Sequence, residues 1–439
     1  MTEIPAAKLR TLEEAAASVL GTTDTFGIPL GPGHPAGFLH ALAARADWVD
    51  LTISGALLTD LYEVLTKPGV HYRSGFFGPA ERFLKASGAD VQFVPADFRR
   101  FAPLLDQLDP RVVATAAAPP DADGWMSLSL HAGATVNALH RAGASPDRVL
   151  LVEVNEQLPR TVGLPPEHRH AIHVDEADVI VVSDKAPFVL DDPPPSDVER
   201  AIAEHAAAYV TDGCTLQTGI GGIPGTIAAL LAAGDGGDYG IHSEMFTTGL
   251  MALHQAGKVT NARKGLHEGY SVTTFAAGTA ALYEWLDGND AVRFLPVDLV
   301  NAPEVVARNH DMVTINGALA VDLAGQLVAD SIAGAQFSGI GGHEDFISSA
   351  AFELTDRSLV CLPSTATVQG EVLSRIQATF PAGSIVTTPR HQLDVVVTEH
   401  GAAELRGLTV RERSRALAAI ADPQFRDELL DAAERIPAG

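Results

Sequence analysis

The stretch Tyr239-Gly-Ile-His-Ser-Glu-Met-Phe-Thr-Thr-Gly249 sets the organisation of this chain. Glycines stand near both ends and the apolar residues 250–253 continue it, so the pattern predicts the end of a strand turning into a helix. Its carboxylate, Glu244, stands among small and apolar neighbours, where an acid is costly unless it is paired or used. These residues alone leave two interpretations open: an acid that caps the helix, or a group that does chemistry.

The composition is that of a globular protein with a large core. The chain has 439 residues, of which 46% are hydrophobic and 19% charged, which suits two or three domains and argues against disorder. The net charge of −25 excludes non-specific binding to nucleic acid or to an anionic membrane surface. An anionic ligand would therefore need local basic groups or backbone N–H donors.

The cysteines and the hydropathy of the chain further restrict the kind of protein that this sequence encodes. Cys214 and Cys361 lack C-x-x-C spacing and a nearby histidine cluster, so we expect neither a zinc site nor a disulfide. No run approaches the roughly 18 apolar residues of a membrane span. Residues 1–5 carry an acid early and show no apolar signal-peptide core. These features predict a cytoplasmic enzyme without a bound metal.

Short apolar runs recur along the chain, with helical patterns between several of them. This alternation predicts an α/β fold with a largely parallel sheet. The clearest break is Asp191-Asp-Pro-Pro-Pro-Ser196, because three prolines fit neither a helix interior nor a central strand. We therefore predict two domains, residues 1–190 and residues 191–439. The predicted strands include residues 48–53, 91–94, 112–116, 149–154 and 179–183.

A faint internal repeat supports this division. Residues 35–44 resemble residues 224–233, and both segments follow glycine-rich loops, although chance similarity of Ala-rich helices also explains this pair. Residues 91–98 and 292–299 share Phe-x-Pro-x-Asp, which is harder to dismiss. If the repeat is real, the chain forms two similar open α/β domains side by side.

The repeat also bears on the two interpretations of Glu244. At the spacing that the first pair defines, Gly55 takes its place in the first half. Only the second half would then carry the acid. A purely structural cap would more often appear in both copies, so the asymmetry favours a functional acid.

A glycine-rich loop, Gln217-Thr-Gly-Ile-Gly-Gly-Ile-Pro-Gly225, precedes a predicted helix. Backbone approaches a ligand closely at such a loop, and a helix N-terminus favours anions. It is not the dinucleotide fingerprint G-x-G-x-x-G, since Pro224 takes the last position, and the chain has no Walker A sequence. A tight turn without a ligand is the alternative. The candidate ligand-binding residues here are Gln217, Gly219, Gly221 and Gly222.

A second glycine-rich loop is Ser338-Gly-Ile-Gly-Gly-His-Glu-Asp-Phe346. Consecutive glycines expose N–H groups as an anion-binding concavity, and such donors can form an oxyanion hole. For His242 and His343 we expect packing or supporting roles, because no serine lies in a G-x-S-x-G signature. The candidate residues of this loop are Ser338, Gly339, Gly341 and Gly342.

Seven segments carry motifs that are specific when taken together. They include Val154-Asn-Glu-Gln-Leu-Pro-Arg-Thr161, His242-Ser-Glu-Met-Phe246, Phe294-Leu-Pro-Val-Asp-Leu-Val-Asn301 and Val397-Thr-Glu-His-Gly-Ala-Ala-Glu-Leu-Arg-Gly407, with residues 217–224, 312–316 and 338–346. In these segments the chain resembles the acetyl-CoA hydrolase/transferase family, within the class I coenzyme A transferases. The resemblance covers nearly the whole chain and is strongest from residue 149 onward.

The resemblance implies roles for several of these residues. Glu244 is implied as the nucleophile, and the loop around Gly339 and Gly341 as part of the CoA site and an oxyanion donor. Asn301 is implied as the side-chain amide near the thioester carbonyl, with Asn316 as a competitor. The implied fold is two related open α/β domains with the active site between them. The resemblance also implies a homodimer, with CoA thioester as substrate rather than bound cofactor and small carboxylic acids as partners.

The chain departs from the family pattern at two positions. His343 stands where many members have Gln, and Gly225 stands where many have Asp. The N-terminal half matches more loosely, which leaves the acyl pocket unassigned.

A glutamate suits the implied chemistry, because a pKa of about 4.3 leaves it ionised near neutral pH. Its carboxylate would attack an acyl-CoA and carry CoA as a thioester to a second acid. We weigh a CoA-transferase acting on a short acyl-CoA such as acetyl-CoA and on a 4-hydroxybutyrate-like or other short acid, a hydrolase using the same Glu244, and a non-catalytic CoA- or sugar-phosphate-binding protein. Met245 and Phe246 favour transfer, since they would limit access of solvent.

Overall fold

The computed structural model describes residues 4–191, 193–350 and 353–436. Residues 1–3 of the segment considered for a signal peptide, and Asp192 of the proline-rich break, lie outside the described residues. The chain forms two compact units: Met1–Leu190 with Val272–Ala302, and Asp191–Ser271 with Pro303–Gly439. The domain division at residue 191 stays a prediction; the units differ from it in the segment 272–302.

The helices are short, and several begin at a capping box, in which a Ser or Thr and a Glu three residues later satisfy each other's backbone donors. The described α-helices are α1 (Leu12–Ser18), α2 (Ala36–Ala41), α3 (Pro79–Ala86), α4 (Phe101–Leu108), α5 (Val136–Gly143), α6 (Asp197–Ala207), α7 (Gly222–Ala233), α8 (Thr248–Gln255), α9 (Ala280–Leu286), α10 (Val297–Val300), α11 (Pro303–Val306), α12 (His343–Ser349), α13 (Val410–Ala419) and α14 (Pro423–Arg435).

Strands alternate with these helices, as the sequence predicts. The described strands are β1 (Thr23–Leu30), β2 (Asp50–Ala56), β3 (Val70–Ser74), β4 (Val91–Phe93), β5 (Val112–Ala117), β6 (Trp125–Ser127), β7 (Val149–Val154), β8 (Ala171–His173), β9 (Val179–Val182), β10 (Thr215–Thr218), β11 (Gly240–Ile241), β12 (Met245–Phe246), β13 (Ser271–Thr273), β14 (Phe275–Ala276), β15 (Val292–Phe294), β16 (Met312–Gly317), β17 (Ala320–Asp322), β18 (Leu327–Val328), β19 (Ser331–Ile332), β20 (Ala335–Gln336), β21 (Arg357–Cys361), β22 (Thr365–Val368), β23 (Glu371–Ser374), β24 (Ile376–Gln377), β25 (Val395–Thr398) and β26 (Gly401–Glu404).

The first unit is built on a seven-stranded sheet in the order β4-β3-β2-β1-β5-β7-β9. All of its strand pairs are parallel. The central strand β5 is buried at every position, as expected where helices cover both faces of a parallel sheet. Its core includes Phe38, Tyr62 and Tyr72, each at most 1% exposed.

The second unit is built on a six-stranded sheet in the order β11-β10-β16-β21-β25-β26. Its pairs are parallel except for β26, which runs antiparallel to β25. A second apolar core, with Leu405 and Leu417 at 0% exposure, belongs to this unit. The α/β fold class predicted from the sequence is confirmed. Among the described residues, no helix combines the length and apolar character needed to cross a bilayer.

The two sheets clarify the internal repeat. The first pair of similar segments gives α2 and α7, which each follow the first strand of their sheet, β1 and β10. The second pair gives β4 and β15, which both belong to the first unit, so this pair does not relate one unit to the other. By sheet register, Leu57 rather than Gly55 takes the position in the first unit that Glu244 has in the second.

Candidate active site

The central feature of the second unit is the change of direction in its sheet at β10. The chain passes from β10 through α7 to β11 on one side, and β16 pairs with β10 on the other. Open α/β sheets bind ligands outside the carboxyl ends of the strands at such a switch point. Glu244 lies three residues beyond Ile241, the last residue of β11, and the loop 219–221 directly follows β10, so both lie at this end of the sheet.

Glu244 is half-buried, and it is not the cap of the helix that follows. Thr247 is the N-cap of α8, and its Oγ1 accepts a hydrogen bond from the backbone N–H of Leu250 at 3.4 Å. One residue before Glu244, Ser243 is fully buried and donates its Oγ–H to the carbonyl oxygen of Thr218 at 3.1 Å. The acid therefore stands at the end of a fixed strand, with the capping role filled by another residue.

Two side chains, rather than neighbouring backbone, hold Ile241, the last residue of β11. Its N–H donates to Asn261 Oδ1 at 2.9 Å, and its carbonyl accepts from Lys264 Nζ at 2.7 Å. Lys264 also donates to the carbonyl of Tyr270 at 2.8 Å, and it is fully buried. Burial lowers the pKa of Lys264 to about 7. These contacts form a clamp, Asn261 and Lys264, on the strand that leads to Glu244.

Asn261 and Lys264 are residues that the sequence analysis missed. A lysine beside an arginine, before a glycine, reads as an exposed charged turn. His242 matches the expectation of a packing role, because it is fully buried with its ring centroid 6.4 Å from that of Phe346. No signal in the sequence distinguishes the buried lysine from an exposed one.

The predicted ligand-binding residue Gln217 is committed to a contact within the sheet. Its side chain is 4% exposed, and Oε1 accepts from the backbone N–H of Ile315 and from Nδ2 of Asn316, both at 3.2 Å. The Gln217 and Asn316 amides therefore pair across β10 and β16 at the switch point. This pair holds the end of β10, from which the glycine-rich loop begins, against β16.

The glycines of the first loop differ in whether neighbouring atoms leave room for a side chain. A Cβ at Gly219 or at Gly221 would meet no atom within 4 Å, whereas a Cβ at Gly222 would lie 2.0 Å from Glu199 Oε1. Gly221 also has φ +116°, which disfavours a side chain. Packing therefore explains Gly222, but it leaves Gly219 and Gly221 as open backbone before α7.

In the first unit, the helix that corresponds to α7 is α2, and a carboxylate of the protein itself binds at its N-terminus. Glu153 of β7 is 1% exposed, and its carboxylate accepts from the backbone N–H groups of Gly37 (2.9 Å) and Phe38 (2.8 Å) in the first turn of α2. In the second sheet the register places Val360 at the position of Glu153. The N-cap of α7, Gly221, has no side-chain cap. The first turn of this 12-residue helix contains no acidic residue, which favours an external anion, although the Glu199 carboxylate of α6 lies beside Gly222.

The second glycine loop is organised by one buried acid, Asp330, which is 3% exposed. Its carbonyl accepts from the N–H groups of Phe337 (2.9 Å) and Ser338 (3.0 Å), and its carboxylate accepts from Gln336 Nε2 (2.8 Å) and Thr387 Oγ1 (2.6 Å). The backbone entering the loop is therefore held from both sides. This arrangement fixes where the following glycines begin.

One glycine of this loop, Gly341, adopts a backbone conformation that disfavours a side chain. Gly341 has φ +57°, and Gly342 is the N-cap of α12. Gly339 and Gly341 are half-buried, and Gly342 is buried. His343 is buried with Nε2 3.0 Å from Thr388 Oγ1, and burial lowers its pKa to about 4. His343 is therefore neutral near pH 7, in keeping with a supporting role.

The remaining predicted donor, Asn301, is the C-cap residue of α10 and is fully buried. It belongs to the first unit, whereas Glu244, Asn316 and both glycine loops belong to the second.

The cysteines take no part in this chemistry: Cys214 and Cys361 are buried and free, and burial raises the pKa of each thiol to about 12. Within the described ranges, no group of three or more His, Cys, Asp or Glu residues is arranged to hold a metal ion.

Comparison with known proteins defines the class to which this fold and site belong. A family model, the acetyl-CoA hydrolase/transferase C-terminal domain, matches residues 278–433. Together with similarity over nearly the full length to the relatives below, this match shows that the chain belongs to the acetyl-CoA hydrolase/transferase family and is an enzyme of that family. The resemblance stated from the motifs is confirmed.

The relatives are similar along almost the whole chain. Succinyl-CoA:cyclohexane-1-carboxylate CoA transferase of Geobacter metallireducens is 37% identical over 425 residues, covering 96% of this chain and 94% of that protein. The 4-hydroxybutyrate coenzyme A transferase of Clostridium kluyveri is 37% identical over 406 residues, covering 91% of each. The crystal structure of RipA from Yersinia pestis matches with a TM-score of 0.88 and 33% identity, covering 98% of this chain and 97% of that one.

Proposed function

We propose that this enzyme moves CoA from a short acyl-CoA, such as acetyl-CoA, to a small carboxylic acid through a covalent thioester on Glu244. The observation that carries the proposal is the placement of Glu244. It is a half-buried acid at the carboxyl ends of the parallel strands of its sheet, and another residue, Thr247, fills the capping role. The two named relatives, at the same 37% identity, differ in the acid that their names give, so the acceptor is proposed only as a class.

The first half-reaction forms the enzyme-bound thioester. A carboxylate oxygen of Glu244 attacks the acyl-CoA carbonyl, the carbon–sulfur bond breaks, and CoA leaves as a thiolate from a mixed acyl-glutamyl anhydride. The thiolate then attacks the glutamyl carbonyl of the anhydride. The first carboxylic acid leaves as its carboxylate, and Glu244 holds CoA as a thioester.

The second half-reaction repeats these steps with the acceptor. Its carboxylate attacks the glutamyl thioester, CoA thiolate leaves, and the thiolate attacks the acceptor carbonyl of the new anhydride. A new acyl-CoA forms and Glu244 returns to a free carboxylate. The thioester energy is retained throughout, so the scheme needs neither ATP nor a bound cofactor.

Each attack passes through a tetrahedral oxyanion, which needs donors. We assign a backbone N–H near Gly341 to this role, with the side-chain amide of Asn301 as a second donor near the thioester carbonyl. The rigid entry to the loop at Asp330 supports Gly341, because a donor held in place beforehand stabilises developing charge without reorganising. Asn316 is the weaker candidate for the amide, since its Nδ2 donates to Gln217.

CoA brings phosphate groups that need donors as well. We assign them to the loop at Gly219 and Gly221 and to the N-terminus of α7. Support comes from the open backbone of this loop and from the contrast with α2, where Glu153 fills the corresponding place. Ser338 and Gly339 are proposed to contact CoA from the second loop. The proposal also includes a homodimer acting in the cytoplasm.

Hydrolysis by the same residue is the second candidate, and one observation favours it. Glu244 is only half-buried, so water competes with the acceptor for the glutamyl thioester unless bound substrate excludes it. The two candidates differ in the final acceptor and not in the first half-reaction.

One incubation separates the candidates. Purified protein is mixed with acetyl-CoA, with and without propionate, butyrate, succinate or 4-hydroxybutyrate. Peptide mapping then looks for CoA on Glu244, and product analysis follows free CoA and new acyl-CoA. We expect the adduct, and new acyl-CoA only with an acceptor present. Release of free CoA at an equal rate without acceptor identifies a hydrolase, and absence of both adduct and turnover refutes covalent catalysis at Glu244.

A further inference from the structure

The first unit contains a cavity of about 320 Å³ that the proposed chemistry at Glu244 does not use. It lies at the carboxyl ends of β1–β4 and is covered by α4. Ligand sites of open parallel sheets occur at this end of the strands. The volume falls in the range typical of small-molecule sites, roughly 300–1,000 Å³.

The interior of this cavity is mainly apolar and well buried, with Ser54 and Thr135 as its buried polar lining residues. Ile28, Leu30, Phe98 and Leu105 line it, and their exposures lie between 2% and 8%. For scale, an apolar cavity of about 150 Å³ stays dry and binds benzene. The present cavity is about twice that size, so it has room for an apolar body of one six-membered ring with a further group attached.

The rim of the cavity carries one kind of charge. Three exposed side chains with N–H donors line the cavity: Arg73, Gln92 and Gln107. None of the lining residues is Asp or Glu, although the chain has 55 acidic residues and 30 Lys and Arg. Arg73 forms no ion pair with any residue in the described part of the chain. An apolar interior beneath an unpaired guanidinium matches a molecule that is apolar at one end and anionic at the other.

We propose that this cavity binds a monocarboxylic acid with an apolar body about the size of a six-membered ring, and that Arg73 pairs with its carboxylate. A bound acid of this kind has one of two roles: it is the acceptor acid of the transfer reaction, or it is a free acid that regulates the enzyme. Binding itself does not depend on the proposed role of Glu244. Only the distinction between the two roles rests on the proposed function.

The binding test uses calorimetric titration of the full-length protein without CoA, so that no turnover occurs. The probes are benzoate, benzyl alcohol as its neutral counterpart, and acetate as a carboxylate without the apolar body. We expect one benzoate per chain, with benzyl alcohol and acetate each at least about tenfold weaker, because each lacks one of the two recognised features. Equal affinity for benzoate and benzyl alcohol would overturn the pairing with Arg73.

Two variants locate the site. Arg73→Leu removes the charge from an exposed position, and Leu104→Trp adds bulk from the face of α4 that lines the cavity. Both should weaken benzoate at least about tenfold. The control Arg263→Leu, an exposed residue of the second unit that pairs with Asp238 at 2.7 Å, should leave the affinity unchanged. Undiminished binding in both cavity variants would refute the site, as would absence of benzoate binding to the wild-type protein.

A kinetic arm then separates the two roles. If benzoate is an acceptor, the wild-type enzyme converts it to benzoyl-CoA, and Arg73→Leu raises KM for benzoate more than it lowers kcat. If benzoate is a regulator, it changes the rate of acetyl transfer without being consumed, and Arg73→Leu removes this effect. Glu244→Ala should abolish turnover and leave benzoate binding intact, so failure of the proposed function is distinguishable from failure of the binding proposal.

Discussion

Replacing Lys264 by methionine tests whether a buried amine positions the strand that leads to Glu244. Lys264 Nζ donates to the carbonyl oxygens of Ile241 (2.7 Å) and Tyr270 (2.8 Å) from a fully buried position. Methionine keeps most of the volume and removes both bonds. We expect kcat to fall about 100-fold, because a displacement of about 1 Å at a reacting group is enough for a loss of that size.

The stability of the Lys264→Met variant should change little, because two large terms oppose each other. Hydrogen bonds from a charged group contribute roughly 1.5–3 kcal/mol each, so losing two costs about 3–6 kcal/mol. Burial lowers the pKa of Lys264 from 10.5 to about 7, which corresponds to about 5 kcal/mol of unfavourable burial of the charged form. We therefore expect the free energy of unfolding to shift by no more than about 2 kcal/mol.

The assay combines steady-state kinetics with chemical denaturation. Lys258→Met is the matched control, since Lys258 Nζ donates to the carbonyl of Gly234 at 2.5 Å, away from Ile241. Wild-type stability should also rise between pH 7 and 10.5, where the unfolded chain binds a proton on Lys264 that the folded chain lacks; the variant should lose this rise. Wild-type kcat in a folded Lys264→Met variant would refute the positioning role.

Three further predictions follow from the site and the first unit. Glu244→Ala should abolish CoA transfer with thermal unfolding unchanged, and turnover near that of the wild type would remove Glu244 from the mechanism. Gly341→Val should lower the rate at saturating substrate, because φ +57° resists a side chain, and unchanged kinetics would make the loop a structural turn. Stability should fall as the pH drops from about 6.5 towards 4, because three buried histidines each contribute a loss of up to about 1.4 kcal/mol per pH unit, and Glu81, whose pKa burial raises to about 7, offsets only one of these losses. Burial lowers their pKa values, which are about 4 for His34, about 3 for His131 and about 4 for His170. The unfolded chain therefore binds protons that the folded chain does not, and a flat profile between pH 6.5 and 5 in denaturant titrations would contradict this.

The fold class could be predicted because the strands carry their signal locally. The predicted strand 112–116 is β5, an apolar run buried at all six of its positions. The return of residues 272–302 to the first unit has no such signal. It depends on contacts far apart in the sequence, such as the hydrogen bond from Phe294 N–H to the Val162 carbonyl at 2.9 Å and the stacking of His170 on Phe294. Composition and periodicity do not encode such pairings.

The candidate site divides in the same way. Glu244 could be predicted as a functional residue because an acid between glycines and apolar residues is unusual within its own stretch. Lys264 could not be predicted in this way, because its burial comes from packing against Gly240 and from carbonyl groups of other segments. Gln217 stays a predicted ligand contact, and the pairing of its amide with Asn316 across two strands is a contact that the sequence does not reveal. Sequence identifies unusual residue types, whereas tertiary contacts decide what surrounds them.

The Glu153 carboxylate on the first turn of α2 has a consequence for stoichiometry. Because it is part of the same chain, it competes with any free phosphate as an intramolecular ligand, at an effective concentration that a metabolite in solution does not reach. One copy of the fold is thus occupied from the moment it forms, whereas the first turn of α7 contains no acidic residue and its N-cap makes no side-chain cap bond. If CoA binds before α7 as proposed, a chain built from two sheets of similar strand order would bind one CoA rather than two.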